Sequence, residues 1–195
     1  MTAFESAIPD AEAMARTQEG DWEAFGILVE RHRDPLVRYL SRLLGSREQG
    51  EEIAQEAFVR VWLAARRYRE EGRFEAYLYR IGTRLARSSE RRRRVRMRAL
   101  FSGRLGVFWG DGPFEEAEAS RRLLREEADS ELARAVAELP LAFRAPLLLQ
   151  AIEERPIEEV ARLLNLPQAT VKTRLFRARE RLRARLQPYW KGVEP

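Results

Sequence analysis

The stretch from Pro156 to Leu186, PIEEVARLLNLPQATVKTRLFRARERLRARL, constrains this chain more than any other. Ile157, Val160, Ala161 and Leu164 recur at three- and four-residue spacing and form one apolar helical stripe. Asn165-Leu166-Pro167 interrupts it, because Pro167 disfavours helical dihedrals at Leu166. A second stripe begins at Val171 and continues through Leu175 and Leu182. Two helices broken by a tight turn, with small Ala161 where they cross, read as a helix-turn-helix. The second helix leaves Lys172, Thr173, Arg174, Arg177, Arg181 and Arg185 on its open face. Such a helix fits a DNA major groove, with phosphate contacts for affinity and a few side chains reaching base edges. A solvated basic helix packed on its own domain would carry the same pattern.

Charge along the chain is segregated into blocks. Residues 1–59 carry 12 acids against 6 bases, and residues 60–99 carry 14 arginines against 4 acids. Residues 110–167 hold 13 acids and 7 bases, and residues 168–191 hold 8 bases and 1 acid. Two cationic surfaces thus alternate with two acidic ones, which points to a polyanionic partner met at two places. Arginine accounts for 34 of the 36 basic residues, a bias that a GC-rich genome would also produce. With no cysteine and only one histidine, His32, thiolate metal sites, disulfides and a Ser-His-Asp triad are set aside. No cofactor is expected. The acidic pairs Glu51-Glu52 and Glu158-Glu159 read as solvent-facing helix ends, and His32 as a helix-surface residue. No window holds the roughly 20 apolar residues of a membrane helix, and the first residues lack a secretion signal, so a cytoplasmic protein is expected.

Helix signals are dense and strand-like alternation is absent, which predicts an all-α chain. Asp21 caps a helix through Arg31 with Trp22, Phe25, Leu28 and Val29 on one face. Asp34-Pro35 predicts a fresh helix start, ended by Gly45. Ser46 with Gln49 reads as a capping box opening a helix with Ile53, Ala54, Ala57, Phe58, Val61 and Trp62 inward. After the polar loop Arg69–Arg73, a long helix starts near Phe74, faces Leu78, Ile81 and Leu85 inward, and ends in Glu90–Arg94. Residues 97–128 form a linker by their glycines, though Phe108 and Trp109 make it apolar enough to pack on something. A second domain follows over 129–189: a helix with Leu132, Val136 and Leu139 that ends at Leu139-Pro140, a helix from about Phe143 to Ile152 with Pro146 in its first turn, then the helix-turn-helix.

Three motifs, in this order, carry a resemblance. Glu51-Glu52-Ile53-Ala54-Gln55-Glu56-Ala57-Phe58-Val59-Arg60-Val61-Trp62 is the first and Gly72-Arg73-Phe74-Glu75-Ala76-Tyr77-Leu78-Tyr79-Arg80-Ile81 the second. The third runs from Leu139-Pro140 through Glu158-Glu159-Val160-Ala161 to Thr170-Val171-Lys172-Thr173-Arg174-Leu175-Phe176-Arg177-Ala178-Arg179. Together they resemble the extracytoplasmic-function (ECF) sigma factors of the sigma-70 family, and the two domains so implied, 10–96 and 129–189, cover about 150 of 195 residues.

The resemblance implies two helical domains: a region 2 domain over 10–96 and a region 4 domain over 129–189. It implies core RNA polymerase as partner, through its clamp coiled coil and flap, with Gln55, Glu56 and Arg60 as the polar contact to the clamp. The minus-ten element would be met by Arg69, Arg73, Phe74, Tyr77, Arg80, Arg84, Arg87 and Ser88. A cationic groove with aromatic faces is what holding unpaired bases requires. The arginines at 91–94 would meet phosphates. The minus-thirty-five element would be met by Lys172, Thr173, Arg174, Phe176, Arg177 and Arg181. An anti-sigma partner is implied as well. Tyr77, Arg84 and Ala169 stand where relatives commonly carry tryptophan, asparagine and glycine. A stand-alone helix-turn-helix regulator is the alternative, but it offers no reason for the Gln55-Glu56 helix.

Overall fold

A computed structural model describes residues 8–69, 73–101 and 131–190, and among them every regular element is a helix. The first unit comprises α1 (Asp10–Gln18), α2 (Trp22–Leu44), α3 (Arg47–Ala64) with a 3-10 turn at Ala65–Arg67, and α4 (Phe74–Phe101). The second comprises α5 over 131–138, α6 (Leu141–Ala151), α7 (Ile157–Leu164) and α8 (Gln168–Trp190). The linker expectation for 102–128 lies outside the described residues.

Local chemistry sets the ends of most helices. The Asp21 carboxylate accepts the Ala24 N–H at 3.0 Å and opens α2. Gly45 closes α2 in the left-handed region, φ 70°, where a Cβ would be strained. The Ser46 hydroxyl accepts the Gln49 N–H at 3.3 Å and opens α3. A Cβ on Gly50 would lie 2.6 Å from the Ser41 nitrogen, so this glycine permits α3 to cross α2 at backbone distance. α2, α3 and α4 enclose a core of Leu28, Leu36, Leu40, Leu43, Ala57, Val61 and Leu78. Inside it the Tyr39 hydroxyl lies 3.0 Å from Thr83 Oγ1 and ties α2 to α4.

Three boundaries depart from expectation. Pro35 does not start a helix but lies inside the continuous α2. Its missing N–H costs one helical bond, and packing of both flanking halves, through Leu28 and Leu36 to Leu43, outweighs that loss. α4 does not end at Arg94 but continues to Phe101. α6 starts at Leu141, two residues early, which puts Pro146 in the second turn. Seven of its eleven residues are buried, so burial again overrides a local breaker. α1, between Pro9 and Gly20, was not anticipated. It is fastened by Asp10, which accepts from Arg31 and lies 2.8 Å from His32 Nε2. The histidine also meets the Phe74 ring at 5.2 Å, so it joins three helices instead of facing water.

The Asp21 carboxylate is held below the ordinary aspartate range, first by the Ala24 N–H and then by Arg16. A depressed acid stabilises the fold above its unfolded pKa, near 4, and loses that contribution as pH falls through the folded value. Asp21→Ala will therefore lower Tm at pH 7, and the gap to wild type will close below about pH 4. Thermal melts by circular dichroism at pH 7, 4 and 3 check this.

The two units share one apolar core. α6 packs on α2 and α7 on α4, and the buried residues form one continuous cluster from Ala13 to Ala178.

Candidate nucleic-acid interface

α7 ends because Asn165 takes left-handed dihedrals, φ 51°, and the Leu166 N–H turns back to the Ala161 carbonyl at 2.9 Å. Pro167 then precedes α8, whose inner stripe Val171, Leu175 and Ala178 is buried with Val160 and Leu163 of α7. That registration leaves Lys172, Thr173, Phe176, Arg177 and Arg181 exposed. Phe176, at 64% exposure, is an aromatic on an otherwise cationic face. Arg181 lies over the Phe143 ring, its guanidinium carbon 4.9 Å from the centroid. Arg174 is the exception to the expected open face. It is partly buried toward the first unit, and burial together with nearby Arg87 lowers its pKa.

On the first unit, Arg80, Arg84, Arg87 and Ser88 are exposed along α4, and Arg69 and Arg73 flank its start. Arg91, Arg92 and Arg93 continue the cationic row. Tyr77 is half-buried, 4.8 Å from Tyr68 between ring centroids, with the Arg80 guanidinium 5.5 Å from its own centroid. Phe74 does not belong to this face. It is 2% exposed and its ring sits among His32 and Tyr68, so the expectation that it touches DNA is corrected. In the first turn of α4 the inward position i pairs with Leu78 at i+4, and that phase turns Phe74 to the core. The loop between Arg69 and Arg73 has its centre, 70–72, outside the described residues.

A third face lies on α3. Gln55 is exposed, and Glu56 accepts from Arg60 Nε at 2.7 Å one turn on. Ile53 and Phe58 are buried beneath it, while Trp62 meets Trp22 edge-on at 4.9 Å. Val59, Leu63 and Trp22 are exposed at 46%, 77% and 65% and extend the Gln55 face with apolar surface. Trp22, read with Phe25 and Leu28 on one apolar face, is largely exposed instead. Leu63 escaped the sequence reading, although an apolar residue on the polar side of a helical pattern is a legible signal. Buried Arg144 and partly buried Arg155 escaped it too, and nothing local marks them.

These features define an all-helical protein with two cationic faces on separate units and a mixed polar-apolar face on the first. Residues 28–96 match the family described as Sigma-70 region 2, and residues 129–182 match Sigma-70, region 4. The chain is 30% identical to the RNA polymerase sigma-H factor of Pseudomonas aeruginosa, covering 92% of this chain and 94% of that one. It is also 30% identical to the ECF RNA polymerase sigma factor SigW of Bacillus subtilis, covering 88% and 94%. Its fold is similar to that of CnrH, solved in complex with the cytosolic domain of CnrY. The TM-score is 0.63 at 27% identity, over 92% of this chain and 97% of that one. The chain therefore belongs to the ECF group of the sigma-70 family of RNA polymerase sigma factors. Members of that family are DNA-binding transcription initiation factors, not enzymes themselves. Among the described residues no helix is long and apolar enough to cross a membrane.

Proposed function

We propose that this chain binds core RNA polymerase in the cytoplasm, reads the minus-ten and minus-thirty-five promoter elements with its two domains, and promotes promoter melting. The observation that carries this is the placement of three outward faces on one helical chain. The Gln55, Glu56 and Arg60 face, flanked by apolar Val59 and Leu63, suits a helical partner on the polymerase clamp. Domain 10–96 takes the minus-ten strand. Tyr77 offers a face to an unpaired base, and Arg69, Arg73, Arg80, Arg84, Arg87 and Ser88 track its backbone. Domain 129–189 takes the minus-thirty-five duplex through Lys172, Thr173, Phe176, Arg177 and Arg181. Arg174 joins them only when the second domain leaves the first. Residues 97–128 tether the two. An anti-sigma protein partner is part of this proposal, and CnrH, of similar fold, is solved in complex with a protein, the cytosolic domain of CnrY.

In vitro transcription with purified core polymerase tests it. Wild type should confer initiation at a defined promoter. Gln55→Ala should weaken binding to the core enzyme by about tenfold while leaving the fold intact. If the core enzyme neither binds the chain nor gains promoter selectivity, the proposal fails.

A further inference from the structure

A cleft of about 740 Å³ lies between the 3-10 turn after α3, the first turns of α4 and the turn between α7 and α8. Five guanidinium groups line it: Arg67 and Arg69 from the first wall, Arg73 and Arg80 from the second, and Arg162 from the third. Among the described residues no carboxylate lines it. Arg162 lies 3.6 Å from Glu159, a long pair, and Glu159 is already held by Arg155 at 2.5 Å. Charges of one sign around a concave site focus its field, which favours an anion there.

The walls are fixed by bonds of their own. Gln18 of α1 donates to the carbonyls of Ala65 and Tyr68, at 3.2 and 2.5 Å, and so holds the segment that carries Arg67 and Tyr68. Arg155 donates to Glu75 of α4 at 2.8 Å and sets the start of α7 against that helix. Buried Arg144 of α6 donates to the Leu43 carbonyl of α2 at 2.7 Å. A site whose walls are set in advance loses little affinity to ordering them.

Size and chemistry then select the guest. The volume falls within the range of small-molecule sites, on the order of 300–1,000 Å³, whereas a nucleic-acid strand runs along an open groove. Two aromatic rings line the same cleft: Tyr68 and Tyr77 meet at 4.8 Å between centroids, inclined by 48°. A planar base stacks on such a ring. Asn165, at the cleft through the left-handed end of α7, offers an amide donor and acceptor to a base edge. Guanidinium forks match phosphate oxygens in pairs. An inorganic polyphosphate would leave the rings unused, and a bare nucleoside would leave the arginines unused. A nucleotide with a phosphate chain uses both.

We infer that this cleft is a binding site for one nucleoside triphosphate, with its base on the tyrosine side and its phosphates among the arginines. Arg67 and Arg162 distinguish the site, because neither belongs to the set assigned to the minus-ten element. The inference therefore stands or falls apart from that assignment.

Equilibrium dialysis of the full chain against radiolabelled ATP and GTP, in EDTA, tests it. At least one of the two should bind, and tripolyphosphate and the bare nucleoside, used as competitors, should each be weaker by about tenfold or more. Arg67→Gln with Arg162→Gln should weaken nucleotide binding by about 100-fold, since each hydrogen bond to a charged group carries about tenfold. Arg134→Gln with Arg183→Gln removes the same charge outside the cleft and should leave binding unchanged. All four side chains are exposed, so both double variants should melt as wild type does. The inference is overturned if neither nucleotide binds at millimolar concentration, if tripolyphosphate binds as tightly as both, or if the two double variants lose affinity equally. Because those variants carry equal net charge, their affinities for a single-stranded oligonucleotide separate the remaining rival. If the cleft variant loses as much affinity for the strand as for the nucleotide, the cleft belongs to the path of the strand and the inference also fails.

Discussion

Phe74→Ala is expected to destabilise the first unit by about 3–5 kcal/mol, the usual cost of emptying a buried phenylalanine site. The ring is 2% exposed and contacts helices on three sides: His32 of α2 at 5.2 Å, Tyr68 after the 3-10 turn at 6.5 Å, and its own α4. Few neighbours can move into the space, because His32 is itself held by Asp10. Urea titration followed by tryptophan fluorescence reads the loss, since Trp22 and Trp62 both lie in this unit. Tyr77→Ala provides the contrast. It is half-buried at the rim, so stability should change little, while affinity for an unpaired strand should fall by about 1–3 kcal/mol per lost stacked base. If Phe74→Ala leaves stability intact and only weakens DNA binding, its assignment to the core is wrong.

The second large effect is expected from Lys172→Ala combined with Arg177→Ala. Both side chains are exposed on α8, and each bidentate contact to a base edge discriminates by about 1–3 kcal/mol. Losing two such contacts should reduce initiation at a promoter dependent on its minus-thirty-five element by about 100-fold or more. Binding to core polymerase and melting temperature should be unchanged, because neither residue touches the buried stripe Val171, Leu175 and Ala178. Arg91→Ala, on the exposed arginine row of α4, should act differently. It should weaken binding to all sequences alike and reduce the salt slope by about 0.7–0.9. A double variant that initiates as well as wild type would remove α8 as the reading helix.

Several elements were legible from residue order because their causes are local. Asp21, Ser46 and Gly45 set helix ends through bonds to residues within four positions, and the structure keeps all three. Pro167 specified the turn at Asn165, and the apolar stripe of α8 specified the outward register of Lys172, Thr173, Arg177 and Arg181. Pro35 and Pro146 misled for the opposite reason. A local breaker signals a boundary, but burial along the flanking turns of α2 and α6 outweighs one lost hydrogen bond each. Phe74 misled because an aromatic beside arginines looks alike in a base-stacking face and in a core until the phase of its helix is known.

Residue order alone determined the helical class, the helix-turn-helix and the two cationic blocks, since each depends on spacing or composition over short windows. The Gln55 face came from the resemblance to the sigma factors. Only the tertiary structure decided where Arg144 and Arg155 go. Their partners, Leu43 and Glu75, lie 101 and 80 residues away, and no periodicity links positions so far apart. It also decided that Arg174 of α8 comes near enough to Arg87 of α4 for that charge, after burial, to lower its pKa. That follows from how two amphipathic units bury their remaining apolar surface against each other, a free-energy balance spread over many residues and written in no single one.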